Sequence, residues 1–88
     1  MASIRDLKKD INFVLGDIID AVYIWEAINP KEDHDKSEAI IDDAISTFDE
    51  LIAKVNDHKV DNRRAQLKAV SAELEERGKA LIDRVNDL

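Results

Sequence analysis

The sequence predicts an all-α fold, an antiparallel three-helix bundle whose helices run up, down and up. Three segments place apolar residues three or four positions apart, which is the spacing of one face of an α-helix. Two short polar segments separate them, and short connections join antiparallel neighbours in helix bundles. At 88 residues the chain is expected to form one domain, 1–88, with helices at about 4–28, 36–57 and 61–87.

The first predicted helix begins after Ser3, a residue type that caps helix N-termini. It ends before Pro30, which cannot donate a helical hydrogen bond. Its apolar residues occupy the a and d positions of an unbroken heptad, so we expect them to face the core. These residues are Ile4, Leu7, Ile11, Val14, Ile18, Ala21, Trp25 and Ile28.

The second predicted helix follows the polar segment 29–36, and either Asp35 or Ser37 is the expected N-cap residue. Its apolar residues form the single stripe of an amphipathic helix. The stripe comprises Ile41, Ala44, Ile45, Phe48, Leu51, Ile52 and Val55. A second polar segment, 56–59, ends this helix.

The third predicted helix, for which Asp61 is the expected N-cap residue, has a leaner inner stripe. The stripe comprises Leu67, Val70, Ser71, Leu74, Gly78, Leu81, Val85 and Leu88. Since the first and third helices run parallel in this arrangement, we place Gly78 level with residues 21–25 and predict that the Trp25 indole fills the space beside it. The alternative is that Gly78 ends or bends the helix. The residues expected to carry the core are Ile11, Val14, Ile18, Trp25, Phe48, Leu51, Leu74, Gly78 and Leu81.

The composition excludes several classes of protein. The absence of cysteine rules out a disulfide framework and cysteine-based zinc sites. The apolar content of 44% is too high for a disordered chain. No apolar run approaches the roughly 20 residues of a membrane helix, and no signal-peptide pattern opens the chain. We therefore expect a soluble, cytoplasmic protein without a cofactor.

The residues that most resemble a metal or catalytic site do not complete one. Asp33, Asp35 and Ser37 copy the opening of a calcium loop, but the sixth and twelfth positions lack the required glycine and glutamate. Neither His34 nor His58 belongs to the Glu-x-x-His pair of di-metal bundles, so both are expected to be exposed loop residues. No serine has an evident base partner. We expect neither a metal nor an enzymatic activity.

The net charge of −7 is unevenly distributed over the predicted bundle. The end formed by residues 1–15 and 52–69 gathers eight basic side chains against four acidic ones, and the remainder is strongly acidic. The candidate basic patch consists of Arg5, Lys8, Lys9, Lys59, Arg63 and Arg64. It is a candidate site for nucleic acid or another anion, although the acidity of the chain and the lack of aromatic residues there argue against nucleic acid. The alternatives are attraction between opposite ends of neighbouring molecules or to an acidic partner protein, and a solvated surface.

The first helix carries more apolar residues than one buried stripe needs. At 100° per residue a second set lies opposite the heptad stripe, again with spacings of three and four residues. This candidate interface consists of Phe13, Gly16, Tyr23, Ile24 and Ala27. Contiguous exposed apolar surface usually marks an interface, so we predict a homodimer or a partner helix on this face. The alternative is that the helix lies centrally and the chain itself covers both faces.

Residues 5–14 read RDLKKDINFV. This segment resembles the start of a family of short bacterial helical proteins that have no assigned function. The resemblance implies a small three-helix fold and brings no catalytic residues to this chain. We therefore interpret the sequence as a non-enzymatic interaction module that uses the second face of its first helix, with a nucleic-acid or anion binder as the alternative.

Overall fold

The residues that the structure describes form three helices, and each of them packs against the other two. The computed structural model describes residues 4–57 and 59–88, in which α1 spans Ile4–Ile28, α2 spans Asp35–Asn56 and α3 spans Arg63–Asn86. The predicted all-α antiparallel bundle is thus confirmed. The expected cap at Ser3 and the expected exposure of His58 fall on residues outside this description. None of the three helices described is both long and apolar enough to cross a bilayer.

The caps of α2 and α3 differ from those predicted. The N-cap residue of α2 is His34, whose side chain makes no capping hydrogen bond. Ser37 instead lies in the first turn, fully buried, where its hydroxyl contacts the carbonyl oxygen of His34 at 2.9 Å. At α3, Asn62 rather than Asp61 is the cap, because its Oδ1 accepts from the Ala65 amide at 3.0 Å. A cap side chain accepts from an amide two or three residues later, so a shift of one residue decides between two suitable side chains.

The buried stripe of α1 departs from the predicted heptad. It consists of Leu7, Ile11, Leu15, Ile18 and Val22. Ala21 and Ile28 are exposed, and Trp25 is half-buried outside the core cluster, so its assignment to the core was wrong. A straight α-helix turns every 3.6 residues, so a heptad pattern drifts by about 20° per repeat. Over the length of α1 this drift rotates the last heptad positions out of the core.

Residues from all three helices complete the core. The buried apolar side chains of α2 and α3 are Ile40, Ile41, Ala44, Leu51, Val55, Val70, Leu74 and Leu81. Val14 and Phe48 pack against this cluster and are partly buried, and Gly78 is buried. Ile45 and Ser71, both expected to face inward, are exposed.

Ion pairs along α2 and α3 define how these helices are aligned. Lys54 contacts Glu73 at 2.7 Å, and Arg84 contacts Asp43 at 2.5 Å. Between them Arg77 contacts Glu50 at 2.5 Å. Each step toward the C-terminus of α3 is thus matched by a step toward the N-terminus of α2. This is the antiparallel order.

The packing of Gly78 shows where α3 lies along α1. A Cβ atom added at Gly78 would be 3.1 Å from Cγ1 of Val14, so Val14 occupies the space that was predicted for Trp25. The alternative for Gly78 was also wrong, since α3 continues to Asn86. Compared with the prediction, α3 is displaced by on the order of 13 Å toward the start of α1. Asn86 is then level with about Val22, and residues 23–28 of α1 extend beyond α3.

Candidate interaction surface on helix α1

The second apolar face predicted for α1 is open to solvent. Phe13, Tyr23 and Ile24 are 56%, 53% and 61% exposed. Ala27 is exposed as well, and Gly16 is half-buried. The arrangement in which the chain covers both faces of this helix is therefore not the one observed.

The structure adds Ile28 to this face. Its side chain is 71% exposed, although the heptad pattern assigned it to the core. The sequence does contain the signal, because at 100° per residue Ile28 lies only about 40° from Ile24 around the helix. We call the set Phe13, Gly16, Tyr23, Ile24, Ala27 and Ile28 the α1 apolar face.

The shorter reach of α3 contributes to the exposure of Ile28. The residues from Tyr23 to Ile28 lie past the level at which α3 ends. They are adjacent to the start of α2, where the rings of Trp25 and His34 meet edge to face with centroids 5.7 Å apart. The apolar face is thus largest at the end of the bundle where only two helices pack together.

A small polar network holds this end of α1 against α2. Ser37 Oγ donates to Glu26 Oε2 at 2.6 Å. His34 Nε2 donates to the carbonyl of Asn29 at 2.9 Å, and its Nδ1 lies 3.9 Å from Glu26 Oε2. His34 is accordingly half-buried and bonded, which corrects its expected position as an exposed loop residue. These contacts fix the loop between the helices and support Trp25 at the edge of the apolar face.

Charged residues flank the apolar positions in a definite order along the exposed side of α1. Arg5 and Lys9 come first, and both are exposed. Asp17 and Asp20 follow Phe13 and are also exposed. Asp6 and Asp10, which are also exposed, alternate with these bases, so the outer side of α1 carries both signs near its N-terminus and is acidic near its middle.

The candidate basic patch is only partly available to a ligand. The guanidinium of Arg63 donates to the carbonyls of Val55 and Asp57 at the end of α2 and to Oε1 of Gln66. It satisfies carbonyl groups that a helix C-terminus leaves without partners. The other five residues of the patch form no ion pair with any residue in the described ranges. Lys8 is half-buried and the other four are exposed: Arg5, Lys9, Lys59 and Arg64.

We expect Arg63→Met to lower the free energy of unfolding by about 1 kcal/mol, because it removes hydrogen bonds to the end of α2. Arg64→Met is the matched control, since it removes the same charge from the next residue, which is exposed. It should change stability by less than about 0.5 kcal/mol. Urea denaturation of both variants measures the difference. Equal losses would show that charge alone, and not the contacts of Arg63, affects stability.

Two shallow grooves lie outside the α1 apolar face. One, of about 220 Å³, follows the seam of α2 and α3, and its Arg77 and Arg84 are already held in ion pairs. The other, of about 250 Å³, lies beside Leu88 and the start of α2. Within the part of the chain that the structure describes, no three histidine, aspartate or glutamate side chains are grouped so that they could hold a metal ion.

The α1 apolar face is therefore the strongest candidate for a functional surface. Its exposed aromatic and aliphatic side chains suit contact with another protein surface. The resemblance of residues 5–14 to a bacterial family stays a prediction. In comparisons with known proteins, no family model, no curated protein and no solved structure matches this chain.

Proposed function

We propose that this protein is a non-enzymatic interaction module of the cytoplasm that self-associates or binds a protein partner through the α1 apolar face. The observation that carries the proposal is the exposure of more than half of Phe13, Tyr23 and Ile24 on one face of one helix. Burial of apolar surface stabilises by roughly 25 cal/mol per Å². A partner that covers these side chains gains stabilisation that the isolated chain lacks.

The different surroundings of the two glycines, Gly16 and Gly78, support the same proposal. Gly78 faces Val14 so closely that the fold itself explains the missing side chain. Gly16 has no atom within 4 Å of the position that a Cβ would occupy. In a helix interior glycine is less favourable than alanine by roughly 1 kcal/mol, and contacts within the chain do not explain it at Gly16. Close approach of a second molecule does.

The test places a charge on the α1 apolar face. We expect the protein to self-associate between about 5 and 500 µM in sedimentation velocity, and Tyr23→Glu to weaken this association about tenfold or more. The matched control is Ile82→Glu on α3, since Ile82 is 47% exposed and lies outside the face. An association that Tyr23→Glu leaves unchanged would contradict the assignment of this surface.

Binding of a different protein through the α1 apolar face is tested by a separate experiment. A photo-crosslinking amino acid at position 23 should give a discrete adduct in cells, and the same group at position 82 should not. If the chain neither self-associates nor forms an adduct specific to position 23, both self-association and partner binding through this face are ruled out.

A second candidate function is binding of nucleic acid or another polyanion by the basic patch. It is favoured by the exposure of Arg5, Lys9, Lys59 and Arg64 without ion pairs to other described residues. Phosphate contacts of this kind supply most of the non-specific affinity for nucleic acid. Electrophoretic mobility at near-physiological salt distinguishes the two proposals, because only the second predicts a shift of labelled nucleic acid.

A further inference from the structure

We infer that the occupant of the α1 apolar face is a second copy of this chain, packed antiparallel so that Lys9 lies opposite the partner's Asp20. This inference rests on the proposed function and names the partner for the same surface. It is argued from the charge pattern of α1, from the helical positions of the residues and from the open surface at Gly16.

The charge pattern selects the antiparallel orientation. Arg5 and Lys9 precede the apolar residues of the exposed side of α1, and Asp20 follows Phe13 and Gly16. In a parallel pair, each of these charges would lie beside its own copy, so like charges would meet. In an antiparallel pair, Lys9 of each helix meets Asp20 of the other, so opposite charges lie together. Because the pair has two-fold symmetry, every such contact occurs twice.

The helical positions select one alignment of the two copies. At 100° per residue Lys9 and Asp20 lie about 20° apart around α1, so both point toward the same partner. A two-fold axis midway between them passes the helix near residues 14 and 15.

The axis also gives Phe13 and Gly16 a common role. They lie at equal distances along α1 on either side of it and about 60° apart around the helix, so Phe13 of each copy is level with the partner's Gly16 and its ring can extend across it. No atom of the chain lies within 4 Å of the Cβ position of Gly16, and the ring of Phe13 is 56% exposed. The ring thus meets an open part of the helix surface. Lys9 and Phe13 thus both find a complementary partner in one arrangement.

The strength of this dimer follows from its size. One helix packed on one helix buries less than about 1,200 Å² in total, which is typical of weak and transient interfaces. Exposed ion pairs contribute little affinity but fix orientation. We therefore expect a dissociation constant of about 10 µM or higher and an association that weakens as salt rises from about 20 to 500 mM.

The experiment is a charge-reversal cycle measured by sedimentation equilibrium at low salt. Lys9→Glu and Asp20→Lys should each weaken dimerisation about three- to tenfold. The double variant should return to within about twofold of the original chain, because both ion pairs are re-formed with reversed signs. Lys79→Glu is the control for net charge, since Lys79 is exposed on α3. A double variant that associates no better than the single ones overturns the arrangement.

Cross-linking supplies a second readout that does not depend on affinity. The chain has no cysteine, so a short bis-maleimide joins only introduced thiols. A mixture of Lys9→Cys and Asp20→Cys chains should yield the mixed dimer in preference to either homodimer. Preferential linking of Lys9→Cys to itself would show a parallel pair and overturn the proposal.

The outcomes separate this inference from the proposed function. A dimer that Tyr23→Glu disrupts but that fails the charge-reversal cycle overturns the antiparallel arrangement and leaves the interaction surface in place. A chain that stays monomeric up to about 500 µM overturns the second copy as occupant, while a position-23 adduct with another protein would still support the proposed function.

Discussion

Replacement of Leu51 by alanine should lower the free energy of unfolding by about 2–5 kcal/mol. Leu51 is 0% exposed and belongs to the core cluster that joins all three helices. Truncation removes buried methyl groups and leaves a cavity that a short chain can close only in part. In a domain of this size the loss corresponds to a decrease in Tm of about 8 °C or more, measurable by circular dichroism.

Ile82→Ala is the matched control for Leu51→Ala. Both substitutions shorten an aliphatic side chain in a helix, but Ile82 is 47% exposed. Its replacement should change stability by no more than about 0.5 kcal/mol, since alanine also has the higher helix propensity. Similar decreases in Tm for both variants would mean that the bundle does not bury Leu51 as described.

A large side chain at position 78 should destabilise the folded protein. We expect Gly78→Leu to lower the free energy of unfolding by about 1–3 kcal/mol, even though leucine has the higher helix propensity. The reason is that its Cβ would already be 3.1 Å from Cγ1 of Val14, before the rest of the side chain is placed. Valine is restricted to one rotamer in a helix and cannot easily move aside.

Two comparisons isolate the contact between Gly78 and Val14. Gly16→Leu makes the same chemical change where no atom lies within 4 Å, so at about 5 µM chain it should not destabilise the monomer. In a Val14→Ala background, the loss of unfolding free energy caused by Gly78→Leu should be smaller by at least about 1 kcal/mol than in the original chain. Urea denaturation of the four-member cycle measures the coupling. Additive effects would place Gly78 away from Val14.

The elements of the fold were readable from local patterns. Pro30 marks the end of α1 because a proline removes a helical donor and restricts the residue before it. The start of α3 was predicted two residues early, since Asp61 and Asn62 are both suitable caps. Helix existence follows from periodicity over many residues, whereas the position of a cap depends on a single side chain.

The candidate interaction surface was predictable in part. Phe13, Tyr23 and Ile24 were assigned to the outer face because they lie opposite the buried stripe, and they are exposed. Ile28 was missed, and Trp25 was assigned to the core, since the heptad treats α1 as if it turned every 3.5 residues. The contacts of Arg63 with Asp57 and Val55 span six and eight residues across the connection between α2 and α3, so no helical periodicity indicates them.

Periodicity and breaking residues along the chain suffice to specify three helices and the two apolar faces of α1, because each depends on the angle between residues of one helix. The shortness of the two connections specifies the antiparallel order. The position of α3 along α1 required the tertiary structure. Apolar stripes repeat every turn, so many alignments bury similar area, and only the fit of particular side chains separates them. The close contact of Val14 with Gly78 marks the alignment adopted, which ends α3 near the level of Val22, so that α3 does not cover Ile28.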